Sequence, residues 1–239
     1  MTALVELVVV TYENDLMQCV ELIKSIRDYG FVQKDIKINL VINDTDLIYQ
    51  QAIDLFCDVS NIKIYQRSDF GGLTWLNDAG WLTQQYLKLA IARLIDTPWY
   101  ITVDSDQGLW QESITFDDWF LLEENSVKAR YKSISFNEQG NQCFRDFWRR
   151  VADFWNIADI ENHTQLLSEK PPVVMHTAEV NSMMDHSNVI SPILNAQFHE
   201  YGAYWGYLIK ENRIEHLYVP LQKMTKSHLL REGRPLPLL

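Results

Sequence analysis

Asp104-Ser105-Asp106 is the group of residues best suited to chemistry in this chain. Its two carboxylates stand two positions apart, directly after the apolar run Trp99–Val103, and face each other across a turn. Two close anions repel unless a cation lies between them. Hard oxygen ligands suit Mg²⁺ or Mn²⁺, ions that complete their shells with substrate phosphates. The bare D-x-D pattern is common in an acidic chain, and Asp44-Thr45-Asp46 is a second instance. A solvated turn is the alternative reading, and the preceding strand is what singles out Asp104 and Asp106.

Trp81, Gln84, Gln85 and Lys88 form the second group. Their i, i+3, i+4, i+7 spacing places them on one helix face. Leu87, Ile91 and Leu94 make a separate apolar face that can pack on a sheet. Two amides, an amine and an indole are costly to bury without partners. That face either lies in water or points into a cleft, where the amides bond hydroxyls and Lys88 bonds a phosphate. Other constellations fail. His199-Glu200 is followed by Ala203 and not by a zinc-binding His, and there is no GxxxxGK[ST], no GxGxxG after a strand and no GxSxG.

The elements that must hold these groups are legible from apolar patterning. Residues 5–12 (VELVVVTY), 36–43 (IKINLVIN), 61–67 (NIKIYQR) and 99–103 (WYITV) read as strands. Helices are expected at 15–29, capped by Asn14 or Asp15 and closed by Gly30, and at 46–57. A Gly71-Gly72 loop leads into a third helix over about 79–95, stopped by Thr97-Pro98. This β-α-β-α-β order implies a mostly parallel sheet flanked by helices. In such sheets ligands sit at the carboxyl ends of the strands, where Tyr12, Asn43-Asp44, Arg67 and Asp104-Ser105-Asp106 fall. The second half reads as helices at 115–125, 141–157, 178–186 and 199–211, with strands at 132–136, 173–176 and 216–220. Phe144, Phe147, Trp148, Val151 and Trp155 form a stripe expected to be core. Arg145, Arg149 and Arg150 fit a solvated edge.

Composition narrows the class. The 239 residues carry a net charge of −11, 47% hydrophobic residues and 12% aromatics. A chain of this length and apolarity buries a sizeable core. The acidity excludes a protein that coats nucleic acid, which needs clustered Lys and Arg. Cys19, Cys57 and Cys143 have no metal or redox spacing and suit a reducing compartment. No basic leader and no run of about 18 apolar residues is present, so no transmembrane helix is expected. The aromatic surplus suits either core or a pocket that stacks sugars and bases.

Four segments, VELVVVTYEND, WLTQQYLKLAIA, WYITVDSDQGL and FHEYGAYWGYLI, together resemble a bacterial family of glycosyltransferase-like proteins. That family has a strand ending near an Asp, a W-x-x-QQ-x-x-KL helix, a D-x-D strand end and a later S-E-Y helix. Its wider relatives are nucleotide-sugar-dependent transferases of the GT-A fold. The similarity covers residues 5 to about 210, with His199 in place of the expected Ser before Glu200 and Tyr201.

The resemblance implies a single GT-A-like, Rossmann-like α/β domain over 1–239. Residues 1–110 would be the nucleotide-sugar-binding half, and 111–239 the acceptor-binding half with a C-terminal tail. A Mn²⁺ or Mg²⁺ ion on Asp104 and Asp106 would bridge the donor phosphates, with His228 as a further ligand or a solvated tail residue. Thr11 and Tyr12 would seat the base and ribose, helped by Asp44, Arg67 and Ser105, while Trp81, Gln84, Gln85 and Lys88 complete the donor site. Glu200 would be the general base, or a carboxylate that only favours its helix start. Trp75, Trp81 and Tyr201 would stack sugar or acceptor, or serve as core. The implied activity is sugar transfer to a hydroxyl acceptor, a glycan or lipid-linked precursor of a bacterial surface polysaccharide. It would take place in the cytoplasm or peripherally at the inner membrane face, with a homo-oligomer left open. The rivals are a nucleotidyl- or phosphotransferase using the same Asp pair, and a sugar-nucleotide-binding module without turnover.

Overall fold

The computed structural model describes residues 4–29, 36–71, 80–107, 116–123, 126–136, 142–163, 166–167, 172–186 and 188–220. The N-terminal half alternates β1 (Val5–Thr11), α1 (Leu16–Tyr29), β2 (Ile38–Ile42), α2 (Asp46–Phe56), β3 (Ile62–Gln66), α3 (Trp81–Ala90) and β4 (Trp99–Asp104). β1 and β2 are buried along their whole length, as β-branched runs covered on both faces should be. The remaining elements are α4 (Phe116–Trp119), β5 (Phe120–Glu123), β6 (Ser126–Tyr131), β7 (Ser133–Ile134), α5 (Gln142–Trp155), β8 (Leu166–Leu167), β9 (Val173–His176), α6 (Thr177–His186), α7 (Ile190–Leu194), α8 (Glu200–Lys210), α9 (Ile214–Leu217) and β10 (Tyr218–Pro220).

The main sheet has the order β3-β2-β1-β4-β9. β3, β2, β1 and β4 are parallel, and β9 closes the edge antiparallel to β4. From β1 the chain first moves outward through β2 and β3, then returns through α3 to β4 on the other side of β1. The strand order therefore reverses between β1 and β4, which opens a crevice beyond their carboxyl ends. Val10 stands opposite Asp104 in that pair. Right-handed crossovers put α1 and α2 on one face and α3 on the other.

Three expectations change. Residues 115–125 are not one helix: a single turn, α4, runs into strand β5, which pairs antiparallel with β6. The strand expected at 216–220 is present but starts two residues later: the helical turn α9 leads into β10, which pairs parallel with β6. Strand 132–136 shrinks to β7, two residues paired with β8. The aromatic stripe on α5 is core as expected: Phe144, Phe147, Trp148, Val151 and Trp155 are all buried. Arg149 pairs at the surface with Glu161 and Asp146, and Arg150 donates to the Gln197 carbonyl.

Close approach of α5 and α8 depends on two glycines one helical turn apart. A Cβ on Gly202 would lie 2.2 Å from Phe147 Cζ, and one on Gly206 2.4 Å from Trp155 Cδ1. The missing side chains let the aromatic face of α5 sit directly on the α8 backbone. That contact fixes the start of α8, and with it Glu200.

Candidate active site

The carboxyl ends of β1 and β4 carry Tyr12 and Asp104-Ser105-Asp106, and two helices bring charge to them. α3 starts at this edge of the sheet. Asn43 Nδ2 donates to the Gly80 carbonyl at 3.1 Å, and Gln84 Nε2 to the Val10 carbonyl at 3.3 Å, which ties the helix to β2 and β1. α8 starts there too, and His199 caps it by accepting from the Gly202 N–H at 3.4 Å through Nδ1. The imidazole thus performs the capping task of the Ser expected at this position.

Lys88 joins the two helices to the strand end. Its Nζ lies 2.5 Å from Asp104 Oδ1 and 3.0 Å from Glu200 Oε1. Lys88 and Glu200 side chains are 5% and 3% exposed, while Asp104 keeps 26%. Nζ also lies over the Tyr201 ring, 5.2 Å from its centre. Burial works against the ammonium, but Glu200, Tyr201 and Asp104 outweigh it and hold the Lys88 pKa well above the ordinary lysine value. The lysine is a fixed cation between two carboxylates. Two of its three N–H bonds are committed to carboxylates.

The other expected residues fall into three groups. Tyr12 and Asp106 line the crevice, and so does Gln84, half-buried at the end of β1. Loss of water against the turn, then the charges of Asp104 and Asp15, push the Asp106 carboxyl above the ordinary aspartate value. Burial, then Asp15 and Asp106, raise the Tyr12 phenol. Thr11 and Ser105 are buried beneath this layer, with Ser105 Oγ donating to Asp15 Oδ2 at 3.4 Å. Gln85 is buried on the same side of α3 as Lys88.

Asp44, Arg67 and Trp81 stand further out. Asp44 accepts the Glu13 N–H at 2.9 Å and the Thr45 N–H at 2.7 Å, so its carboxylate caps two helical starts. Arg67 opens a 3₁₀ turn after β3 and is half-buried, with Nη1 enclosed and unbonded. Trp81 is 62% exposed at the mouth of α3. Tyr201 is core rather than a stacking surface, its phenol 3.0 Å from Thr102 Oγ1. His228 and Trp75 lie outside the described residues.

Asp15 is the site residue that sequence reading missed. It was expected only as a cap for α1, yet it bonds Ser105 and faces Tyr12 and Asp106. Its place four residues after the end of β1 was the available signal. Among the described residues, no three His, Cys, Asp or Glu side chains stand close enough to hold a metal ion by themselves. No helix among them is long and apolar enough to cross a membrane.

A family model described as a family of unknown function, DUF6492, matches residues 3–233. The chain belongs to DUF6492. Among curated proteins none matches its sequence. Solved structures do match this DUF6492 member in fold. Mouse xyloside xylosyltransferase 1 in its apo form superposes with a TM-score of 0.52 at 11% identity, over 92% of this chain and 85% of that one. The galactosyltransferase LgtC, solved with donor and acceptor sugar analogues, gives 0.49 at 13% identity over 84% and 69% of the two chains. The bifunctional glycosyltransferase WbbM gives 0.47 at 13% identity, and this chain spans 37% of its length. The DUF6492 chain has the GT-A glycosyltransferase fold.

Proposed function

We propose that the protein is a metal-dependent glycosyltransferase that moves a sugar from a nucleotide-sugar donor to a hydroxyl acceptor. The observation that carries this is Lys88, buried between Asp104 and Glu200 at the strand-order reversal of a GT-A sheet. It links the strand end expected to receive the donor to the helix start expected to receive the acceptor. On this reading residues 1–110 take the donor and 111–239 the acceptor, a glycan or lipid-linked precursor at the inner face of a bacterial membrane.

Asp104 and Asp106 fit Mn²⁺ or Mg²⁺. Loss of water first, and then the charges of Asp104 and Asp15, raise the Asp106 carboxyl, and a cation would relieve the repulsion within that pair of neighbours. Two carboxylates without a full protein cage suit an ion that shares its shell with substrate phosphates. Bound there, the ion stabilises the negative charge that develops on the departing nucleoside diphosphate. Glu200 accepts from Lys88 through Oε1, and Oε2, 4.0 Å from His199 Nδ1, would take the acceptor proton. As the acceptor oxygen bonds the anomeric carbon, the bond from that carbon to the phosphate oxygen breaks. The electron pair leaves with the diphosphate, and the acceptor proton passes to Glu200. Attack opposite the leaving group inverts the anomeric centre.

A second reading, a module that binds sugar nucleotide without turnover, is favoured by Lys88 itself, whose single charge already engages both Asp104 and Glu200. Incubation of the chain with Mn²⁺ and a panel of nucleotide-sugars separates the readings. Release of nucleoside diphosphate is expected from a transferase. Binding without release supports the module. Release of pyrophosphate from a nucleoside triphosphate supports a nucleotidyltransferase.

A further inference from the structure

We infer that residues 221–239, a basic and apolar segment of this chain, dock on an exposed apolar rim at the mouth of the crevice; the inference does not depend on the glycosyltransferase reading. Among the described residues five large apolar side chains are exposed: Met17, Leu47, Leu55, Trp81 and Leu122. Three of them gather at one place. The starts of α1, α2 and α3 are all bonded to Asn43-Asp44. Asp44 accepts the Glu13 N–H ahead of α1 and the Thr45 N–H that opens α2, and Asn43 Nδ2 donates to the Gly80 carbonyl ahead of α3. Met17, Leu47 and Trp81 each lie within four residues of one of these bonds, and they are 62%, 67% and 62% exposed. Glu13 and Asp46 are exposed beside them, and Asp15 and Asp44 are half-buried. None of residues 12–18, 43–49 and 80–82 is Lys or Arg. Large apolar side chains grouped in water within a polar border mark a surface that something covers.

Charge selects the occupant. The rim is apolar and acidic, so a complementary partner is apolar and basic. A second copy would set one acidic rim against another in a chain of net charge −11, and an anionic bilayer would be repelled in the same way. Residues 221–239 have the required composition. Met224, Leu229 and Leu230 are interspersed with Lys223, Lys226 and Arg231, and Glu232 is the one acidic side chain of the segment. The segment lies outside the described residues and follows β10 directly. At about 3.3 Å per residue it spans up to about 60 Å when extended, more than the roughly 45 Å breadth of a domain of this length, so the rim is within its reach. Because it is tethered, it meets the rim at an effective concentration near millimolar, which favours it over a basic segment of another protein. Docked there, it brings its cations to the mouth of a crevice that Asp15, Asp104 and Asp106 make acidic.

The test places the photo-crosslinker p-benzoylphenylalanine in the full chain at the exposed position of Leu47. Leu55, at the far end of α2, and Leu122, on β5, are replaced in the same way as controls away from the rim. A mixture of light and heavy-isotope chains is illuminated, digested and mapped by mass spectrometry. From Leu47 the adducts are expected on residues 221–239 of the same chain, several times more often than from either control. The variant K223Q/K226Q/R231Q/R234Q should cut that yield by about half or more, because exposed ion pairs are weak singly but four cations are lost together. Tail adducts that are absent from Leu47, or equal from all three positions, overturn the proposal, as does a yield indifferent to the four substitutions. Adducts that join light to heavy chains also overturn it and assign the rim to a second copy. With phosphatidylglycerol vesicles present, adducts on lipid in place of the tail overturn it in favour of a membrane.

Discussion

Replacing Lys88 by Met tests the centre of the site as a physical object. The substitution keeps length and removes one buried positive charge. Glu200, 3% exposed, then loses its ammonium partner, and His199 Nδ1, 4.0 Å from Oε2, already accepts the Gly202 N–H, while Asp104 at 26% exposure can regain water. Removing one partner of a buried ion pair costs about 3–5 kcal/mol, because the remaining charge stays uncompensated. At roughly 2–4 °C per kcal/mol for a domain of this size, the melting temperature should fall by about 6–20 °C at pH 7. Urea unfolding should show the same loss in midpoint with an unchanged slope. The double variant K88M/E200M, in which no buried charge is stranded, should recover most of the loss.

Alkaline pH gives a second readout of the same group. The folded pKa of Lys88 lies above the unfolded value of about 10.4. Its contribution is therefore full below that pH and is lost as pH rises through the folded pKa. The difference in stability between the unaltered chain and K88M should be flat from pH 7 to about 10 and shrink above it. A K88M protein that melts within about 2 °C of the unaltered chain at pH 7, with a double variant no better than the single, would refute the reasoning.

Two other perturbations probe the frame and its chemistry. Gly206→Ala places a Cβ against Trp155 and Val151, so calorimetry should show about 1–3 kcal/mol of lost stability. With native protein at pH 8, a thiol reagent should label exposed Cys57 and Cys143 and spare Cys19, whose thiol burial pushes up to about 12; the third thiol should react only on unfolding.

Much of the frame was legible because its signals are local. β1, β2 and β4 are apolar runs ended by polar residues, and Asp104-Ser105-Asp106 follows the last of them directly. The α5 stripe has helical spacing over three turns, so its burial follows from pattern alone. The errors lie where tertiary pairing decides. Phe120–Glu123 has the composition of a helix, and becomes a strand because β6 offers it partners and β10 extends the same sheet. The site was harder still. Lys88 meets a carboxylate 16 residues away and another 112 residues away, and no spacing rule connects them. Asp44 stands at a strand end as expected, and nothing in sequence reveals that the Glu13 and Thr45 N–H groups will point at its oxygens. Asp15 was read as a cap for the complementary reason.

The central claim is that the Asp pair beside the Lys88–Glu200 bridge supports sugar transfer. The most direct measurement is release of nucleoside diphosphate from a nucleotide-sugar in Mn²⁺, compared between the unaltered chain, Asp106→Asn and Glu200→Gln. The account predicts release by the unaltered chain and loss of metal-dependent donor binding in Asp106→Asn. For Glu200→Gln it predicts retained donor binding with turnover reduced by about 10²–10⁴-fold, the usual worth of a general base. Release that is indifferent to both substitutions, or to removal of the metal, would contradict it.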